Sequence, residues 1–97
     1  MKVKYNRVST LQQTGNRFEA DTDHYDLTLM DKVSGTVKFS ERPEAQKLIK
    51  LIIDKRVTTV VVEELSRIGR SMSDVISSLE WFDKHQINIV VRNLGIQ

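Results

Sequence analysis

Residues 58–71, TTVVVEELSRIGRS, settle how the rest of the chain is read. They open with a run of β-branched side chains bounded by charge, and such side chains are stiff at χ1 and poor helix formers. The run is short enough for one strand. Because it is continuously apolar, it reads as a strand buried on both faces, the kind a parallel sheet contains. Arg67 and Arg70 follow it three residues apart; a helical turn would place both on one face, with Gly69 loosening the backbone between them.

Working outward, Ser71 and Asp74 form a capping-box pattern ahead of Val75, Ile76, Leu79 and Phe82, which predicts a helix over about residues 72–85. INIVV, from Ile87, predicts the next strand. Upstream, Pro43 suits the first turn of a helix, and Ala45, Leu48, Ile49 and Ile52 follow at helical spacing, predicting a helix over about 43–55. YDLTLM, residues 25–30, alternates through Tyr25, Leu27 and Leu29 as a strand and runs into a long loop, DKVSGTVKFS. In residues 2–8, Val3 and Tyr5 alternate with Lys2, Lys4 and Asn6, the pattern of a strand with one covered face. The order β, loop or short helix, β, α, β, α, β predicts right-handed crossovers and an α/β fold with a mainly parallel sheet of four to five strands flanked by helices. Sites in such sheets gather beyond the carboxyl ends of strands, where strand order reverses.

A chain of 97 residues with one proline, four glycines and 39% hydrophobic residues fits one domain near the lower limit for a self-sufficient core. Without cysteine there is no disulfide framework, thiolate metal site or cysteine nucleophile, in keeping with a reducing compartment. No apolar run has the length of a membrane span and no signal segment opens the chain, so the default location is the cytoplasm, away from membranes. The net charge of +2 announces no nucleic-acid partner by itself. Residues 19–31 carry Glu19, Asp21, Asp23, Asp26 and Asp31 without Lys or Arg, and read as a solvated acidic surface.

Arg7 and Ser9 are two residues apart, hence on one face of an extended strand and roughly 6–7 Å apart along it. If the first and third strands are neighbours, the guanidiniums of Arg7, Arg67 and Arg70 converge on the Ser9 hydroxyl. Guanidinium is permanently cationic and offers a planar fork of donors that suits phosphate, so a serine among arginines points to attack on a phosphodiester. Plainer readings exist for each residue alone: Ser9 as a cap for a turn near Thr10, the arginines as surface side chains, His24 and His85 as exposed residues, Trp81 and Phe82 as core. Neither histidine has a serine and an acid at a recognisable distance, which argues against a Ser-His-Asp triad.

YNRVSTLQQ, then DKVSG with ERPEAQKL, then VVVEELSRIGRS run in order over nearly all 97 residues, and together they resemble the catalytic domain of the serine recombinases, the resolvase and invertase family carried by mobile elements. The resemblance implies a resolvase-like three-layer α/β fold. It implies that Ser9 attacks a DNA phosphate, forms a 5′-phosphoserine linkage and releases a 3′-hydroxyl, and that the reverse attack reseals the DNA after strand exchange, with no metal, ATP or other cofactor. Carried over by position, Ser9 is the nucleophile, Arg7 the arginine before it, Arg67 and Arg70 the pair after the third strand, and Arg42 and Gln13 contacts to the DNA phosphate. No histidine base is needed if clustered guanidiniums favour the alkoxide, stabilise the phosphorane and assist the leaving oxygen. The implied partner is double-stranded DNA, with a dimer and a synaptic tetramer for the full-length protein.

Two residues depart from the pattern. Ser66 stands where most members have an aspartate that holds neighbouring guanidiniums, and Phe18 where many have a second glutamine; the first predicts reduced activity. The resemblance also makes residues 1–97 a catalytic domain truncated before a dimerisation helix and a DNA-binding domain, inactive in isolation. Two rivals stand beside this reading. A degenerate or truncated relative would only bind DNA or a partner, whereas a flavodoxin-like phosphate-binding module is permitted by the fold but lacks a Gly-rich phosphate loop.

Overall fold

The computed structural model describes residues 1–8 and 24–92. The valine run forms β3 (Thr59–Val62), beside β1 (Lys2–Val8), β2 (Leu27–Lys32) and β4 (Asn88–Val91); the helices are α1 (Pro43–Ile53) and α2 (Met72–Lys84), and short 3-10 turns cover Phe39–Glu41 and Leu65–Arg67. All four strands are parallel, in the order β2-β1-β3-β4. Val3 lies between Leu27 and Val60, and Val60 beside Ile89. The chain steps from β1 outward to β2, then returns past β1 to β3. Strand order therefore reverses between β1 and β3, whose carboxyl ends flank the switch point where open α/β sheets place their sites.

Burial explains the order. Val3, Tyr5, Leu29, Val60 and Val62 form one sheet face, covered by Ala45, Leu48 and Ile52 of α1 and Phe82 of α2. Phe39 fills the junction, edge-on to Tyr5 at 5.4 Å and to Phe82 at 5.9 Å between ring centroids. The expectation of a single covered face for β1 is corrected. Lys4 and Asn6 are also buried, as is Val61 in β3, because β1 and β3 are the two central strands. The Lys4 ammonium meets Glu63 at 3.0 Å, which offsets the burial of its charge. The expected third layer lies outside the described residues.

The element ends follow from local chemistry. Pro43 opens α1 as expected, and α1 stops at Ile53 rather than 55 because Lys55 turns into the left-handed region at φ 61°. Ser71 caps α2 by accepting from the Asp74 N–H at 3.2 Å, one arm of the expected capping box. Asp74 sends its carboxylate to the N–H groups of Arg70 (2.9 Å) and Phe39 (3.2 Å), tying the arginine turn to the Phe39 turn. Gly69 does not loosen the backbone. It is buried against the start of α2, where a Cβ would stand 2.8 Å from the Val75 nitrogen. β2 runs two residues later than expected and includes Asp31.

Candidate functional site

Arg7 lies next to last in β1, in register with Asp31 of β2. Its Nη1 donates to the Val33 carbonyl at 3.0 Å, and the loop after β2 passes so close that a Cβ on Gly35 would contact the guanidinium at 3.4 Å. Its Nε is buried and has no hydrogen-bond partner among the described residues. Burial first, then the neighbouring charges of Arg67 and Arg42, lower the Arg7 pKa from its ordinary value. An arginine keeps its proton under such pressure, so the lowering registers burial of the cation first and the nearby charges of Arg67 and Arg42 second.

Arg67 closes the 3-10 turn beyond β3 and pairs with Glu64 at 3.4 Å. Arg42 sits beneath the Arg67 turn. It is 0% exposed, and it donates from Nε to the Val37 carbonyl (2.9 Å) and from Nη1 to the Arg67 carbonyl (2.6 Å) and the Tyr5 hydroxyl (3.3 Å). Its Nη2 is buried and has no hydrogen-bond partner among the described residues. With no exposed surface, the Arg42 guanidinium organises the turn that carries Arg67. Arg70 is exposed, and among the described residues its guanidinium makes no hydrogen bond or ion pair. The charges gathered at the switch point are thus Arg7, Arg67 and Arg42, with Arg70 outside on the rim. Ser9, Gln13 and Phe18 lie outside the described residues; β1 ends one residue before Ser9.

Sequence reasoning missed the group that supports this cluster. Asp31, which in sequence reads as part of a solvated acidic run, is 2% exposed. It accepts from the Tyr5 hydroxyl at 2.8 Å and from the N–H groups of Glu44 (2.9 Å) and Ala45 (3.0 Å) at the start of α1. The residue preceding α1, Arg42, makes no side-chain cap, so Asp31 caps the helix from the neighbouring strand. Asp31, Tyr5 and Arg42 then form a continuous chain of hydrogen bonds leading to the main chain of Arg67. A signal was present: continuing the alternation of Leu27 and Leu29 puts Asp31 on the apolar face, where a carboxylate is unusual.

Elsewhere, an apolar groove of about 330 Å³ between α1 and α2 is lined by Phe39, Ile49, Ile53 and Trp81, away from the arginines. Phe82 is core as expected, whereas Trp81 is half-buried and stacks on His85 at 4.1 Å. His24 is exposed; His85 is half-buried, with Nδ1 3.0 Å from the Trp81 carbonyl. Among the described residues, no group of three or more His, Asp or Glu side chains could hold a metal, and no helix is long and apolar enough to cross a membrane.

Residues 2–97 match the model of the resolvase N-terminal domain. The chain belongs to the resolvase family. This resolvase-family chain is 34% identical over 90 residues to the DNA-invertase of Escherichia phage P1, a match that covers 91% of the chain and 46% of the invertase. The N-terminal catalytic domain of TP901-1 integrase superposes with a TM-score of 0.76 at 32% identity, over 99% of the chain and 80% of that domain. A serine recombinase from Sulfolobus solfataricus superposes at 0.72 with 27% identity, over 97% and 71%. The expected kinship with serine recombinase catalytic domains and the α/β fold are both borne out. The chain spans about half the length of the invertases it matches.

Proposed function

We propose that this resolvase-family domain breaks and rejoins DNA strands in site-specific recombination, with Ser9 as nucleophile. The observation that carries the reading is the cluster of Arg7, Arg67 and Arg42 at the switch point, in which Arg7 Nε and Arg42 Nη2 are buried and unpaired. Three cations held against mutual repulsion favour an anion beside them, and a phosphodiester supplies both the charge and the acceptor oxygens. Ser9 follows β1 directly, two residues after Arg7. Its oxygen attacks the phosphorus, one P–O bond forms as another breaks, and the proton lost by the hydroxyl is matched by one gained at the departing 3′-oxygen. The 5′-phosphoserine keeps a phosphodiester-like bond, so the 3′-hydroxyl of a new partner strand reverses the step without an external donor. Arg7 and Arg67 serve the developing phosphorane charge, and Arg70, at the rim, reaches the same phosphate once DNA is bound. Gln13 adds a phosphate contact, and Arg42 acts through the Arg67 turn. Double-stranded DNA is the substrate; a dimer and a synaptic tetramer are the working assemblies of the full-length protein.

The test is covalent capture. The full-length protein, with its dimerisation and DNA-binding segments, is incubated with a pool of randomised duplexes carrying a trapping nick, denatured, and the attached DNA is recovered and the linkage site mapped. An adduct on Ser9 that disappears in Ser9→Ala, with affinity for the captured duplex nearly unchanged, supports the reading. An adduct that persists in Ser9→Ala overturns it. DNA binding with no adduct in the unaltered protein favours the binding-only rival.

A further inference from the structure

The acidic pair Glu63 and Glu64 divides its work. Glu63 is engaged by Lys4 at 3.0 Å, while Glu64 faces the arginine turn. There its two carboxylate oxygens take different partners: Oε1 accepts from the Ser66 hydroxyl at 3.2 Å, and Oε2 lies 3.4 Å from Arg67 Nη2. The backbone explains this geometry. Glu64 precedes the 3-10 turn that Arg67 closes, its carbonyl accepts the Arg67 N–H at 3.1 Å, and in a 3-10 turn side chains three apart eclipse one another. Ser66 has no charge with which to hold a guanidinium. It can orient a carboxylate that does.

Arg67 is therefore subject to two opposed influences. Arg7 is close enough for the two charges to register on one another, and it repels Arg67; Glu64 attracts it. We infer that Glu64, oriented by Ser66, is the positioning residue that holds the Arg67 guanidinium in the site, the task an aspartate at position 66 would otherwise perform. The inference rests on the proposed reading of Arg67 as a group that serves the transition state. It reverses the expectation that Ser66 lowers activity, because the carboxylate is supplied from two residues earlier in the chain. Both members of the ion pair are about a third exposed, so it adds little to folding stability, and its removal reads on the placement of Arg67 instead of on the fold.

The experiment compares four forms of the protein: unaltered, Glu64→Gln, Glu64→Gln with Ser66→Asp, and Glu64→Gln with Ser66→Asn. The substrate is a duplex recovered by the covalent capture described above. Glu64→Gln should slow adduct formation by roughly tenfold or more, the scale of misplacing one reacting group. Its affinity for the same duplex should stay equal or tighten, because a negative charge near the phosphate site is gone. Its unfolding midpoint should match that of the unaltered protein. Ser66→Asp should restore most of the rate in the Glu64→Gln background and Ser66→Asn should not, which separates charge from shape. A second readout needs no DNA: the Nε–Hε resonance of Arg67 should show a lower order parameter in Glu64→Gln and recover with Ser66→Asp. Normal cleavage by Glu64→Gln, or equal rescue by Asp and Asn, overturns the inference while leaving the Ser9 reading intact. If the unaltered protein forms no Ser9 adduct, the functional reading fails, and the Arg67 order parameter alone decides whether Glu64 positions that side chain.

Discussion

The Nη1 of Arg42 donates to the main-chain carbonyl of Arg67 across 2.6 Å, so a buried cation ahead of α1 sets the turn that carries a site arginine beyond β3. The same guanidinium accounts for the Val37 carbonyl and reaches the Tyr5 hydroxyl. Arg42→Ala would leave these acceptors without a donor in a region closed to water. The expected loss is about 3 kcal/mol or more, measured by denaturant unfolding. Arg42→Lys should recover only part of it, because one ammonium cannot reproduce a planar fork aimed in three directions. Stability equal to that of the unaltered protein in Arg42→Ala would remove the structural role assigned to this side chain.

Arg67 and Arg70 should separate in stability but not in chemistry. Both substitutions to Ala are expected to slow Ser9 adduct formation by roughly a hundredfold or more, the scale of removing one preorganised donor. Arg70→Ala, at an exposed position, should unfold at the unaltered midpoint, whereas Arg67→Ala, which removes a partly buried side chain, should shift it slightly. Adduct formation at normal rate in Arg70→Ala would place that residue outside the chemistry.

Tyr5 gives a pH signature. Burial above all raises its phenol well above the ordinary value of 10.0, and the hydrogen bond to Asp31 adds to the rise against the opposing influence of Arg42. With the folded pKa raised, the contribution to stability is fully present below the unfolded value. Above about pH 10 the unfolded chain releases a proton that the folded chain retains, so stability falls with rising pH. Tyr5→Phe should lower stability by roughly 1–3 kcal/mol at neutral pH through the lost hydroxyl contacts, and should flatten the alkaline decline. Urea unfolding of both forms from neutral to alkaline pH measures the difference; parallel curves would contradict the assignment.

Two glycines predict opposite tolerances. A Cβ on Gly69 meets the main chain of α2 at 2.8 Å, where nothing flexible can give, so Gly69→Ala should lower stability by about 1–3 kcal/mol. A Cβ on Gly35 meets the Arg7 guanidinium at 3.4 Å, an ordinary contact, so Gly35→Ala should stay within about 0.5 kcal/mol. Thermal unfolding of the two variants checks the contrast, and an equal loss would contradict it.

The chain's order of elements was legible because each carries a local signal: χ1-restricted valines in β3, Pro43 at the start of α1, Ser71 ahead of α2. The adjacency of β1 and β3 was not legible, since pairing depends on which way each crossover runs. The roles of single polar residues were the least legible. Asp31 looks like its acidic neighbours along the chain, and only its position beside Tyr5 and beneath the first turn of α1 turns it into a buried acceptor of three hydrogen bonds. Arg42 looks like any arginine before a helix until the 3-10 turn at Arg67 closes over it.

By itself, the sequence determined the strand and helix periodicities, the motif order that marks the family, and the placing of Ser9 directly after the first strand. These depend on side-chain shape and on spacing of a few residues, which the chain carries locally. The tertiary structure alone decided that β1 lies beside β3, that the buried Arg42 joins Arg7 and Arg67, and that Glu64 meets Arg67. Those outcomes depend on burial and on charges far apart in the chain or turned toward each other by a short 3-10 turn. Their strength and sign are set by the distances and solvent access that folding creates.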